Sequence, residues 1–287
     1  MVKSVVWRRW TALIALAMVM CLLAVSLPPQ GAVAEAERHR ARSVILLISD
    51  GMGYAQMSLA RLLKGEPLAM DEAGMAGWIS TASADSLVTD SAAAGTALAS
   101  GYKVNNDVIG ITPDGQKPTT ILEAAQARGK AVGLVSTTRI THATPAAFAA
   151  HVENRDLEDA IAVQLLDHRV DVLLGGGKRH FLPQNSGGKR ADGRDLLKEA
   201  AQGGYTVITD GVDIKGIKPG QRVLGVLADS DLSYDIDRAE TGQPCLAELT
   251  GAALRALSAD REGFVTAASF PMHRWYGCAF HANPLLS

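Results

Sequence analysis

Hydrophobic positions along this chain fall into two patterns, short unbroken apolar runs and longer segments with helical spacing. Ser43-Val44-Ile45-Leu46-Leu47-Ile48, Ala131-Val132-Gly133-Leu134-Val135-Ser136 and Val170-Asp171-Val172-Leu173-Leu174 are runs of the first kind. They carry too few polar positions to leave one face in water, the signature of strands buried on both faces of a parallel sheet. Shorter strand signals lie at 78–81, 206–209 and 223–227. Helical spacing covers 54–63, a small-residue run from Ser91, 119–128 up to Gly129, 157–166, a short stretch after 194, and 245–257. Pro145 suits the first turn of a further helix through His151. Strands alternating with helices predict an α/β fold, a mostly parallel central sheet flanked by helices.

Composition adds a boundary and an exclusion. Lys3, Arg8 and Arg9 precede an apolar run over 12–27, Pro28-Pro29 ends it, and Ala32-Val33-Ala34 offers small residues for cleavage. Residues 1–34 therefore read as a secretory signal peptide, the run being short for a membrane span. The expectation is a periplasmic or secreted protein with no stable membrane association after cleavage. Arg8-Arg9 also permits twin-arginine export. The formal net charge of −2 on 287 residues gives no electrostatic case for nucleic acid as a partner. Past the signal peptide, Cys245 and Cys278 allow one disulfide.

The chemistry sits where apolar runs end. Ser49-Asp50-Gly51 follows the first strand, Thr89-Asp90-Ser91 opens the small-residue helix, and Thr141-His142-Ala143-Thr144 follows the strand at 131–136, with Arg155 further on. In an open parallel sheet such ends converge on one edge. A carboxylate there is a hard-metal ligand, a serine at a helix start meets an anion with free N–H groups, and an arginine binds two phosphate oxygens at once. Each feature alone has a plainer reading: an Asx turn at Asp50, an ordinary cap at Asp90-Ser91. Gly175-Gly176-Gly177-Lys178 lacks the spacing of a nucleotide phosphate loop.

Taken in order, Asp50-Gly51-Met52-Gly53, Thr89-Asp90-Ser91-Ala92, Thr144-Pro145-Ala146-Ala147 with His151 and Arg155, and Leu174-Gly175-Gly176-Gly177-Lys178 resemble the alkaline phosphatase family over roughly 43–264. The resemblance implies a phosphomonoesterase with zinc and magnesium as cofactors, phosphate monoesters as substrates, and a homodimer. By position, Asp50 resembles the carboxylate shared between a zinc and the magnesium, and Ser91 the nucleophile that becomes phosphoserine. Arg155 resembles the phosphate-binding arginine, and Thr144 a magnesium ligand. His142 falls in the magnesium outer shell, Asp90 orients that shell and Arg155, and His151 reads as structural.

The resemblance stops at Phe264. The family continues into a strand ending in a magnesium-binding Glu, and later into Asp and His ligands for zinc. Here 265–287 holds no Asp or Glu, and His273 and His281 have no carboxylate beside them. The expected organisation is a signal peptide at 1–34, a partial α/β domain at 43–264, incomplete at its C-terminal end, and an atypical tail at 265–287. The abrupt shift points to a frameshifted or truncated product; one uninterrupted reading frame encoding the same tail would sink that idea. Two readings stay open: an exported metal-dependent phosphomonoesterase acting through Ser91, and a catalytically inactive fragment with weak phosphate or magnesium binding. A third, a related phosphodiesterase or sulfatase, fits Ser91-Ala92-Ala93-Ala94 and Arg155 less well.

Overall fold

The computed structural model describes residues 41–271 and forms one compact unit from Ser43 onward. The expected signal peptide and the part of the tail from 272 lie outside the described residues. Among those described, no helix is long and apolar enough to cross a membrane.

The apolar runs become strands of one sheet. They are β1 (Val44–Asp50), β2 (Ala131–Arg139), β3 (Val172–Gly176), β4 (Thr206–Ile208), β5 (Val223–Val226) and β6 (Phe264–Pro271). All six pair in parallel, in the order β1-β6-β2-β3-β5-β4. Helices fill the connections: α1 (Tyr54–Lys64), α2 (Ser91–Ser100), α3 (Ile121–Gln126), α4 (Ala143–Ala146), α5 (Glu158–Asp167), α6 (Leu196–Gln202), α7 (Arg238–Thr241) and α8 (Leu246–Leu257). The expected α/β class is what the chain forms.

Each face of the sheet has its own core. One packs Leu134, Leu173 and Leu224 with Phe148, Ile161, Leu165 and the alanines of α2 and α4. The other packs Val135, Val172, Leu174 and Ala268 with Leu249, Ala252, Ala256 and Leu257 of α8. Strand residues alternate between the two, as side chains on a pleat must. That two-sided burial is why these strands are apolar throughout.

Two segments differ from the sequence reading. Residues 78–81 form no strand; Trp78 and Ile79 are exposed, and the segment pairs with no strand among the described residues. In contrast, β6 begins next to the expected tail boundary and lies inside the sheet between β1 and β2, with Val44–Asp50 registered on 265–271. Residues 265–269 are small or β-branched, with cores on both faces: Val265 and Ala267 join one, Ala268 the other. The short helix at α4 ends by Ala146 rather than at His151, and Pro145 sits inside its four residues.

β1 is an edge strand, and its apolar side chains stay in part uncovered: Leu47 is 53% exposed. The helix that follows, α1, contains no buried residue.

Candidate active site

Three chain segments deliver side chains to the carboxyl edge of the sheet. Asp50 is the last residue of β1. Gly51 follows with φ of 77°, a left-handed turn that glycine takes at no steric cost. Ser91 is the first residue of α2, capped by Asp90, whose Oδ1 accepts the Ala93 N–H at 2.9 Å. Thr144 lies in α4, directly after the turn that ends β2.

The small residues of α2 let these segments meet. A Cβ on Gly95 would stand 3.0 Å from Ala147 Cβ, so α2 packs on the α4 region at near backbone contact. Ser91 and Thr144 thereby reach one carboxylate. Ser91 Oγ lies 3.0 Å from both oxygens of Asp50, and Thr144 Oγ1 donates to Asp50 Oδ2 at 2.8 Å. Asp50 is the hub, and two hydroxyls turn toward it.

Arg155 stands beside this hub in a fixed orientation. Its Nη1 donates to Asp90 Oδ2 at 2.8 Å, and its Nη2 lies 3.1 Å from His142 Nε2. Burial works against the Asp90 charge, but the Ala93 N–H and the Arg155 guanidinium outweigh it and hold the carboxyl below its ordinary range. Burial, then the nearby Arg155 and Arg139, push the His142 imidazole down. The neutral ring has one tautomer compatible with Arg155: the arginine can only donate, so Nε2 accepts and Nδ1 carries the hydrogen. That Nδ1 is buried with no hydrogen-bond partner. It is a donor awaiting an acceptor.

Asp50, Gly51, Ser91 and His142 border a cleft of about 280 Å³, lined also by Thr138, Arg139, Asp231 and Pro271. Sequence reasoning missed Arg139 and Asp231. Arg139 closes β2 and donates from Nε to Glu158 at 2.8 Å and from Nη1 to Asp231 at 2.9 Å. Its backbone N–H also donates to Asp231 Oδ1 at 2.9 Å. Burial disfavours the Arg139 charge, yet the two carboxylates outweigh it and raise its proton affinity. Burial would also raise the Glu158 carboxyl, but Arg139, Thr141 and His180 hold it below the usual range. Glu158 opens a helix far along the chain and Asp231 lies in a loop, so no local motif joins them to Arg139.

His151 lies elsewhere. Its Nδ1 contacts the Gly110 carbonyl at 2.6 Å and its Nε2 faces Glu123 Oε1 at 3.1 Å, at the back of α3.

Which cations these residues could hold follows from their donors. Asp50 and Thr144 supply hard oxygens, and His142 Nδ1–H is an unpaired donor suited to a hydrating water. That set fits a partly hydrated magnesium. It does not fit zinc, which takes three or four protein ligands, because no group of three or more His, Cys, Asp or Glu converges among the described residues.

A parallel α/β sheet with a serine, a carboxylate and an arginine gathered on its carboxyl edge places the chain among α/β proteins whose ligand sites form at strand ends. Comparison with known proteins narrows this. The family model for alkaline phosphatase matches residues 41–267. The repressible alkaline phosphatase of Saccharomyces cerevisiae is 38% identical over 273 residues, covering 86% of this chain and 48% of its own. Alkaline phosphatase 3 of Bacillus subtilis is 39% identical over 260 residues, with 85% and 53% covered. The crystal structure of Thermus thermophilus alkaline phosphatase superposes with a TM-score of 0.73 at 38% identity, covering 85% of this chain and 54% of that one. The chain belongs to the alkaline phosphatase family, and it spans about half the length of the curated relatives it matches. A variant of the alkaline phosphatase from the Antarctic bacterium TAB5, 32% identical with a TM-score of 0.72, is described with Mg bound.

Proposed function

We propose that this chain is an exported phosphomonoesterase that transfers the phosphoryl group of a phosphate monoester to Ser91 and then to water. One observation carries the reading: Ser91 Oγ at the start of α2, 3.0 Å from both Asp50 oxygens, with Arg155 anchored beside it by Asp90. The phosphate sits against the N-terminal end of α2, where the helix dipole favours an anion. Arg155, tied to Asp90 through one Nη, neutralises its charge with its remaining N–H groups. Asp50 accepts the Ser91 hydroxyl hydrogen bond and so aims the oxygen lone pair at phosphorus. The Oγ–P bond forms as the bond to the alcohol breaks, and the proton lost by the Ser91 hydroxyl is balanced by the one the leaving alcohol takes up. Water then attacks the phosphoserine, releasing phosphate and restoring Ser91. His142 Nδ1–H is placed to donate to a water or to a phosphate oxygen. Magnesium held by Asp50 and Thr144, when bound, supplies Lewis-acid stabilisation and lowers the pKa of what it coordinates. No step is assigned to zinc.

Export rests on the signal peptide at 1–34, and a periplasmic or secreted location goes with it. Homodimerisation is part of the same reading, carried over from the family resemblance. A second reading, a catalytically inactive fragment that binds phosphate or magnesium weakly, is favoured by one observation, the absence of a zinc-competent donor cluster among the described residues.

Hydrolysis of p-nitrophenyl phosphate by the purified chain, with magnesium and zinc added, separates the two. Turnover that needs metal and disappears in Ser91→Ala supports the enzyme. No turnover, with phosphate still bound and Arg155→Ala releasing it, supports the inactive fragment.

A further inference from the structure

Asn106 and Asp107 are neighbours in the loop after α2, and each holds the backbone of one member of the Asp90–Arg155 pair. Asn106 Oδ1 accepts the Asp90 N–H at 3.1 Å, and its Nδ2 donates to the Val88 carbonyl at 3.0 Å. The Asp107 carbonyl accepts the Arg155 N–H at 2.7 Å. Asp85, at the surface, steadies the loop from outside by accepting the Asn106 N–H at 3.0 Å.

The loop stays tethered further on. Ile109 and Val152 exchange both backbone hydrogen bonds, and the Gly110 N–H donates to Thr96 Oγ1 of α2 at 3.0 Å. Asp107 itself has φ of 65°, in the left-handed region that, beyond glycine, Asn and Asp tolerate best. The links close into a ring: Asn106 to Asp90, Asp90 to Arg155, Arg155 to Asp107, and Asp107 back to Asn106 through one peptide bond.

A ring fixes distances that a single salt bridge leaves loose. Arg155 has a long side chain that can follow Asp90 through many orientations, so the ion pair alone does not set where the guanidinium lies relative to Ser91. Asp90 is the cap of α2, and its own N–H lies before the first intrahelical bond. Asn106 occupies that donor and so orients the peptide that leads into Ser91.

We propose that Asn106 is a positioning residue for phosphate binding, setting the Asp90-Ser91 turn against Arg155 so that hydroxyl and guanidinium address the same phosphate. The inference rests on the functional reading above and adds a residue to it that touches no phosphate.

The test is titration of inorganic phosphate into the purified chain, its Asn106→Ala and Arg155→Ala variants and the double variant, each with a urea unfolding curve. Asn106→Ala is expected to weaken phosphate binding about tenfold, since small misplacements of binding groups are costly. It adds nothing once Arg155 is gone, because the two act in series. Asp85→Ala removes an exposed support, leaves the fold intact, and gives a smaller loss that also vanishes in the Arg155→Ala background. A lowered unfolding midpoint with unchanged phosphate affinity overturns the positioning role, as does an equal loss in both backgrounds. If Arg155→Ala weakens binding while Asn106→Ala and Asp85→Ala do not, the inference fails alone. If Arg155→Ala leaves binding unchanged, or the parent chain binds no phosphate, the functional reading fails and the inference with it.

Discussion

β1 and β2 are nearly alike as sequence, each an apolar run leading to polar residues, yet they live in different surroundings. β2 lies inside the sheet between β6 and β3, and Val132, Leu134 and Val135 have no exposed surface. β1 lies at the edge, where Val44, Ile45 and Leu47 remain largely uncovered and α1 beside it buries nothing. The candidate site straddles this divide. Thr144, His142 and Arg155 follow β2, Ser91 rides on a buried helix face, and Asp50 alone comes from β1. An apolar run thus announces that a segment needs covering; the neighbouring elements decide how far it is covered. The Asp50 hub of the candidate site rests on the less supported side.

The widest separation of the two regions comes from placing the same charge in each. Ala268 of β6 has no exposed surface and lies beside Val135 in the core, whereas Leu47, its registered partner across the pair, is half in water. Ala268→Asp leaves an uncompensated buried carboxylate and is expected to cost about 3–5 kcal/mol. Leu47→Asp, at a half-exposed edge position, is expected to cost about 1 kcal/mol. Urea midpoints measure both, and equal losses would erase the contrast.

The covered side contains a buried ion-pair network with a pH signature. Glu158 is held below its ordinary value of 4.5, chiefly against burial and by Arg139. A carboxyl lowered on folding stabilises the protein above the unfolded value, and that contribution disappears as pH falls through the folded one. Glu158→Gln should therefore cost roughly 2–3 kcal/mol near neutral pH, discounted for partial exposure, and progressively less below 4.5. A deficit that stays constant in acid would contradict this account of Arg139 and Glu158.

How much of this was legible in the sequence depended on how local each signal was. Asp50, Ser91 and Thr144 could be picked out because each sits where a strand ends or a helix begins, and the fold then brings them to one carboxylate. Arg139 and Asp231 are 92 positions apart and meet only because β2 and the loop after β5 end on the same edge. β6 was hidden for a different reason. A strand between two others with helices on both faces needs little bulk, so its alanines and serine look like a change of composition rather than a core strand. Residues 78–81 misled in the opposite direction, being apolar enough to suggest a strand while standing in water.

The smallest effect is expected on the uncovered side. Trp78 is 83% exposed, so Trp78→Ser should change the unfolding free energy by less than about 0.5 kcal/mol. Light scattering should show reduced self-association, because exposed apolar surface drives it. A large loss of stability would mean that Trp78 is covered in solution.

In the proposed reaction Ser91 accepts a phosphoryl group. Its most direct test is peptide mass spectrometry of the chain quenched during incubation with p-nitrophenyl phosphate and magnesium. One phosphoryl group is expected on the peptide that carries Ser91, and none in Ser91→Ala or Asp50→Ala. A modified residue other than Ser91, or hydrolysis that continues at the parent rate in Ser91→Ala, would contradict it.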